Sequence, residues 1–160
     1  MAGRKPLDEA QRRSETITVR LDPTLRYAVE LASARNGQTV SSLVQWAVSK
    51  AMADIKVGKI EDKESILEVA SRLRPHDLQC RLVMLGLDYP ELLTFKERVM
   101  FGVIEQHSVF WRKSSRPKTF DAYKLDNVRE FWDALNMIGD GKWSIEAIEE
   151  EISQRRVERG

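Results

Sequence analysis

The sequence predicts a mainly α-helical protein, with one N-terminal β-strand and two short helices followed by a second, all-helical domain. Three observations predict it. Thr16-Ile17-Thr18-Val19-Arg20-Leu21 alternates polar and apolar residues without a break, the period of a strand with one buried face. Two short helical patterns joined by Asn36-Gly37 follow directly, and the chain from Ser65 onward is helical in pattern throughout.

Composition sets the frame. Hydrophobic content of 42% and charged content of 32% are those of a globular chain, and 160 residues accommodate one or two domains. The net charge of +1 hides a small asymmetry. Residues 1–58 carry nine Lys/Arg against six Asp/Glu, and residues 59–160 carry seventeen against nineteen. The front part is therefore the basic one, as expected of a segment that meets nucleic acid. Cys80 is the sole cysteine, which excludes an intrachain disulfide and fits a reducing compartment. No apolar run reaches the length of a membrane span and the N-terminus lacks a signal-peptide core. A cytoplasmic, nucleoid- or plasmid-associated protein with no membrane partner is expected.

Residues 1–14 read as a flexible basic arm, with Arg4-Lys5 and Arg12-Arg13 as its basic pairs. Arg12 and Arg13, next to the strand, are candidate phosphate contacts; a solvated tail is the plainer reading. The strand exposes unpaired backbone groups and cannot stand alone, and no second strand of similar quality lies nearby. The same strand of a second copy is the economical partner. In such an antiparallel ribbon Ile17, Val19 and Leu21 face the core, and Thr16, Thr18 and Arg20 face outward. A two-stranded ribbon fits the major groove of double-stranded DNA, where hydroxyls and a guanidinium suit base edges.

The first helix opens at Asp22-Pro23, an N-cap followed by a proline that loses nothing at the first helical position. Leu25, Ala28, Val29 and Ala32 form its narrow core stripe, and Gly37 supplies the left-handed residue that ends it. Thr39 caps the second helix, whose inward face is Val40, Val44, Ala47, Val48 and Ala51. The start of that helix, beside Ser41 and Ser42, has free N–H groups able to hold a DNA phosphate while serving as an ordinary cap. Tyr27, Leu31, Leu43 and Trp46 fall away from these stripes. They either widen the core or form a contact face for the C-terminal region or a neighbouring dimer.

The run TITVRLDPTLRYAVELASARNGQTVSSLVQWAV resembles a ribbon-helix-helix domain, the fold of the Arc and methionine repressors, over about residues 12–54. The resemblance implies an intertwined homodimer of residues 15–55. It also implies base reading by Thr16, Thr18 and Arg20, and phosphate binding at the helix start of Thr39, Val40 and Ser41. Two of the three reading residues are threonines, which shifts direct readout toward thymine methyl groups. The arm also resembles the lead-in of plasmid-borne members, including relaxosome accessory proteins and antitoxins.

Residues 56–64 are polar and read as a linker. Helices are expected over Ser65–Leu73, His76–Leu87, Pro90–Trp111, Asp121–Ile138 and Ser144–Val157, together an all-helical domain of residues 65–160 serving assembly, effector sensing or a protein partner. The loop Arg112–Lys118 is basic and reads as surface or as a further contact to phosphate or an acidic partner. His76 and Cys80 lie one helical turn apart, with His107 elsewhere, but no four-ligand pattern supports a metal site. No phosphate loop, nucleophile elbow or supported carboxylate pair occurs, so neither catalytic residues nor a cofactor is expected. The expectation is a sequence-specific, dimeric DNA-binding repressor, able to assemble further on DNA. The alternatives are a DNA-binding adaptor of a plasmid relaxosome or partition complex, and an antitoxin that autoregulates its operon.

Overall fold

A computed structural model of the chain describes residues 17–59, 63–112 and 119–158. The protein is mainly helical with one small antiparallel two-stranded sheet, and it divides into two compact units, Met1–Val48 and Ser49–Gly160. No helix among the described residues is long and apolar enough to cross a membrane.

In the first unit, α1 (Pro23–Asn36) begins where one carboxylate oxygen of Asp22 accepts from the N–H groups of Thr24 and Leu25, both at 3.0 Å. It ends at Gly37, whose φ of 62° is a conformation a Cβ would disfavour. The N–H of Gln38 then returns to the carbonyl of Ser33 at 3.1 Å. Helix α2 (Val40–Asp54) starts at Thr39, whose Oγ1 accepts from the N–H of Ser42 at 3.1 Å.

Burial in this unit departs from the expected pattern. Leu43 is its one buried apolar side chain among the described residues, and Ser33 is its buried polar one. Leu25, Val40, Val44 and Val48, expected to face inward, are exposed. Residues 17–22 belong to no helix and pair with no strand among the described residues; the expected strand partner is a second copy, which a single chain does not supply. Two α-helices with narrow stripes bury little against each other without a further layer, and a strand needs a ladder to join. Leu43, read as either widening the core or joining a contact face, is buried and lies about 40° around the helix from Ala47, so for this residue the wider core holds.

The second unit has a proper core. At the two ends of the segment read as a linker, β1 (Lys56–Val57) pairs antiparallel with β2 (Glu64–Ser65) in the register Lys56↔Ser65 and Val57↔Glu64. Val57 is buried with Val69, Leu73 and Tyr89, which is why a short polar segment is held in a sheet. Ser65 caps α3 (Ile66–Leu73) reciprocally with Glu68, and Asp77 caps α4 (Leu78–Asp88).

The expected helix over Pro90–Trp111 is interrupted twice. A 3₁₀ turn at Pro90–Leu92 precedes α5 (Phe95–Gln106), which starts at the Thr94–Glu97 capping box and stops at an extended His107. The expected Asp121–Ile138 helix divides at Phe131 into α6 (Leu125–Glu130) and α7 (Trp132–Gly139). Phe131 is buried with its ring edge-on to Phe110 at 5.8 Å. A last helix, α8 (Glu146–Glu158), contributes Ile148 and Ile152 to the core. Helix α5 packs along α7, and Gly86 of α4 lets the Phe101 ring approach so closely that a Cβ there would stand 2.5 Å from it.

Candidate nucleic-acid interface

The candidate interface lies in the first unit. Thr18 and Arg20 are both exposed, and Arg20 has no ion-pair partner among the described residues. Thr16, Arg12 and Arg13 lie outside the described residues, as does most of the basic loop, residues 113–118.

The start of α2 is built as its residues suggest. Thr39 Oγ1 is occupied by the N–H of Ser42 and by a 2.9 Å hydrogen bond with the Ser42 hydroxyl. The Thr39 carbonyl accepts from Leu43 at 3.0 Å. The N–H groups of Val40 and Ser41, ahead of the first intrahelical bond, are the ones a helix start leaves for an external acceptor. Thr39, Val40 and Ser41 are exposed, so an anion could reach them. The Ser41 hydroxyl takes no part in the cap, whereas that of Thr39 organises it.

Two polar clusters in the second unit have no counterpart in the sequence reading. In the first, Arg72 donates from Nη1 and Nη2 to the two oxygens of Glu64 at 2.8 Å each, and from Nη2 to the Tyr89 hydroxyl at 2.7 Å. The Tyr89 hydroxyl also donates to Glu64. The Arg72 fork, then Tyr89, lowers the Glu64 carboxyl below its usual range, while burial raises the Tyr89 phenol. In the second cluster Asp77 accepts from the Cys80 N–H at 2.8 Å and from Arg129 Nε and Nη2 at 2.9 and 2.8 Å. The Cys80 N–H foremost, with Arg129 in support, holds Asp77 at about 2; burial and the neighbouring Asp77 push the Cys80 thiol up.

These clusters are internally satisfied. A raised thiol is the opposite of an activated nucleophile, and both networks tie one element to another. The Asp77–Cys80 bond is an N-cap three positions apart, but Arg129 lies 52 positions from Asp77 and Tyr89 lies 25 from Glu64, and no spacing rule connects those. His76 is exposed and Cys80 buried, and no three His, Cys, Asp or Glu side chains among the described residues converge as a metal site would require. Comparison with known proteins finds no family model, no curated protein and no solved structure that matches the chain.

Proposed function

We propose that the chain is a dimeric, sequence-specific DNA-binding protein of the ribbon-helix-helix type, acting as a transcriptional repressor. Residues 16–21 of two copies would form an antiparallel ribbon in the major groove, with Thr16, Thr18 and Arg20 on base edges and the start of α2 on a phosphate. One observation carries the reading. The caps and the turn of α1 and α2 are fully formed, yet Ile17 at 83%, Val19 at 68% and Leu25 at 48% remain exposed in the single chain.

Burying an apolar side chain of this size contributes about 1.5–3 kcal/mol. A unit that leaves so many uncovered is incomplete alone, and a second copy supplies what is missing: a strand for the strand and helices for the helices. The outward residues of that ribbon are hydroxyls and a guanidinium with no ion-pair partner among the described residues, which suit base edges better than a protein core. The second unit, with its own core, would serve assembly, effector sensing or a protein partner.

The testing experiment is selection of bound duplexes from a random DNA pool with the full chain at moderate salt. An inverted-repeat motif is expected, because a two-fold dimer places its two reading faces symmetrically. A pool that gains no motif while the protein binds all duplexes alike refutes sequence reading.

A further inference from the structure

Helices α4, α5 and α7 of the second unit each carry one glycine, and two of these are explained within the chain. A Cβ at Gly86 would stand 2.5 Å from the Phe101 ring, and one at Gly139 would stand 2.8 Å from Met100 Cγ and 2.9 Å from Lys96 Cγ. Gly102, in the interior of α5, is different. A Cβ there would meet nothing within 4 Å among the described residues. Glycine is a poor helix former, so an interior position with room for alanine has its use for the missing side chain outside the chain.

Gly102 does not stand alone on its face. It lies about two helical turns from Phe95 and about 20° around the axis from it, opposite the buried sector of Met100, Phe101, Val103 and Ile104. Phe95 is 78% exposed, more than any other aromatic side chain among the described residues. The outer face of α5 thus presents a large apolar knob and, about 10 Å along it, bare backbone. Side chains at the contact set how closely two helices approach, and a glycine brings their axes nearer. A helix laid along this face covers both features.

The charges choose between a copy of this chain and a different protein. Arg98 lies on one flank of the face, exposed and without an ion-pair partner among the described residues. The ionic groups around it are engaged: Lys96 with Asp140 at 2.8 Å, Glu97 in the Thr94 cap, and Glu105 as well. An antiparallel copy that set Phe95 against the other copy's Gly102 would be centred between Arg98 and Val99. The two Arg98 side chains would then meet on the same flank, and like charges so juxtaposed oppose the contact. The face calls for a carboxylate opposite Arg98, which a second copy does not bring there.

We propose that the Phe95–Arg98–Gly102 face of α5 docks an acidic amphipathic helix of a different protein, with its apolar stripe over Phe95 and Gly102 and a carboxylate against Arg98. The inference stands on the second unit alone and holds whether or not the first unit reads DNA.

The test is panning of a displayed library of random peptides of about 16 residues, long enough to span α5, on the full chain. Enriched peptides should carry apolar residues at helical spacing with Asp or Glu beside them. In fluorescence anisotropy they should bind Phe95→Asp about 30-fold more weakly than the parent and Arg98→Glu about tenfold more weakly. Panning on Arg98→Glu should instead enrich Lys or Arg on that flank. Gly102→Leu should lose the peptides, while Gly102→Ala melts a few degrees above the parent, because helix propensity improves and no neighbour is displaced. No enrichment, peptides without acids, or peptides that bind Phe95→Asp as tightly as the parent overturn the proposal. So does a Gly102→Ala protein that melts below the parent, which would place the use of the glycine inside the chain. A lower oligomeric state of Phe95→Asp in sedimentation velocity overturns it too, assigning the face to a second copy.

Discussion

Arg72 grips Glu64 as a fork grips a carboxylate, with both Nη–Oε distances 2.8 Å, across the strand that opens α3. This pair ties β2 to α3, the strand carrying Glu64 to the helix carrying Arg72. Tyr89 completes it, buried and hydrogen-bonded to both partners. Tyr89→Phe should cost about 1–2 kcal/mol, because it leaves part of two charged groups' bonding unmet while preserving the ring's packing. Urea denaturation of the full chain measures it, and no change in midpoint would show the hydroxyl to be idle.

Gly86 tests the core. An alanine would gain about 1 kcal/mol of helix propensity in α4. Its Cβ would also stand 2.5 Å from the Phe101 ring, which is itself buried and lies 6.3 Å from the Tyr123 ring centroid. Overpacking typically costs about 1–3 kcal/mol, so the net effect of Gly86→Ala should be a loss. A thermal melt at or above the parent's would show that the ring yields freely.

Acid should weaken the second unit through Asp77. Its carboxyl is held at about 2 against an ordinary 3.8, so the folded state favours the charged form. The contribution is complete above the unfolded value and is lost as the pH falls through the folded one, between roughly pH 4 and 2. Glu64, Glu68 and Asp140 are lowered as well and share the slope. Asp77→Asn retains an oxygen for the Cys80 N–H but does not titrate. The difference in urea midpoint between pH 5 and pH 2 should therefore be smaller in that variant than in the parent; an equal difference would assign the slope to the other carboxylates.

Arg20→Ala should remove specific DNA binding by about 10- to 100-fold while the dimer persists, because the side chain is exposed and carries no fold contact among the described residues. Ser41→Ala should change little, since the proposed phosphate donors there are backbone N–H groups. Fluorescence anisotropy on the selected motif separates the two. The parent's affinity should also fall about 10³–10⁵-fold between 50 and 200 mM salt if 6–10 phosphates are contacted. Retained specificity in Arg20→Ala would point to a reader other than the ribbon.

Leu25→Glu should abolish the dimer and with it DNA binding, while the second unit, with its own buried cluster, still melts cooperatively. Circular dichroism and sedimentation of the same sample decide it. A dimer that survives the charge would place the two-fold contact elsewhere.

The sequence by itself determined the local features. Asp22, Gly37 and Thr39 set the limits of α1 and the start of α2, because a cap is a contact between residues two to four positions apart and needs nothing distant. The helix–turn–helix order of α1 and α2 and the helical character of the second unit were readable for the same reason. Tertiary structure decided what periodicity does not encode. The hairpin at 56–65 depends on Val57 meeting Val69, Leu73 and Tyr89, and on Glu64 meeting Arg72, contacts made only when α3 and α4 are in place. The break between α6 and α7 falls at Phe131, whose ring is buried edge-on to Phe110, and the end of α5 falls at an extended His107 inside an otherwise helical pattern. Burial in the first unit is the sharpest case. A stripe of apolar residues declares that a face is to be covered, but what covers it is another surface, and a single chain's sequence carries only one side of that contact.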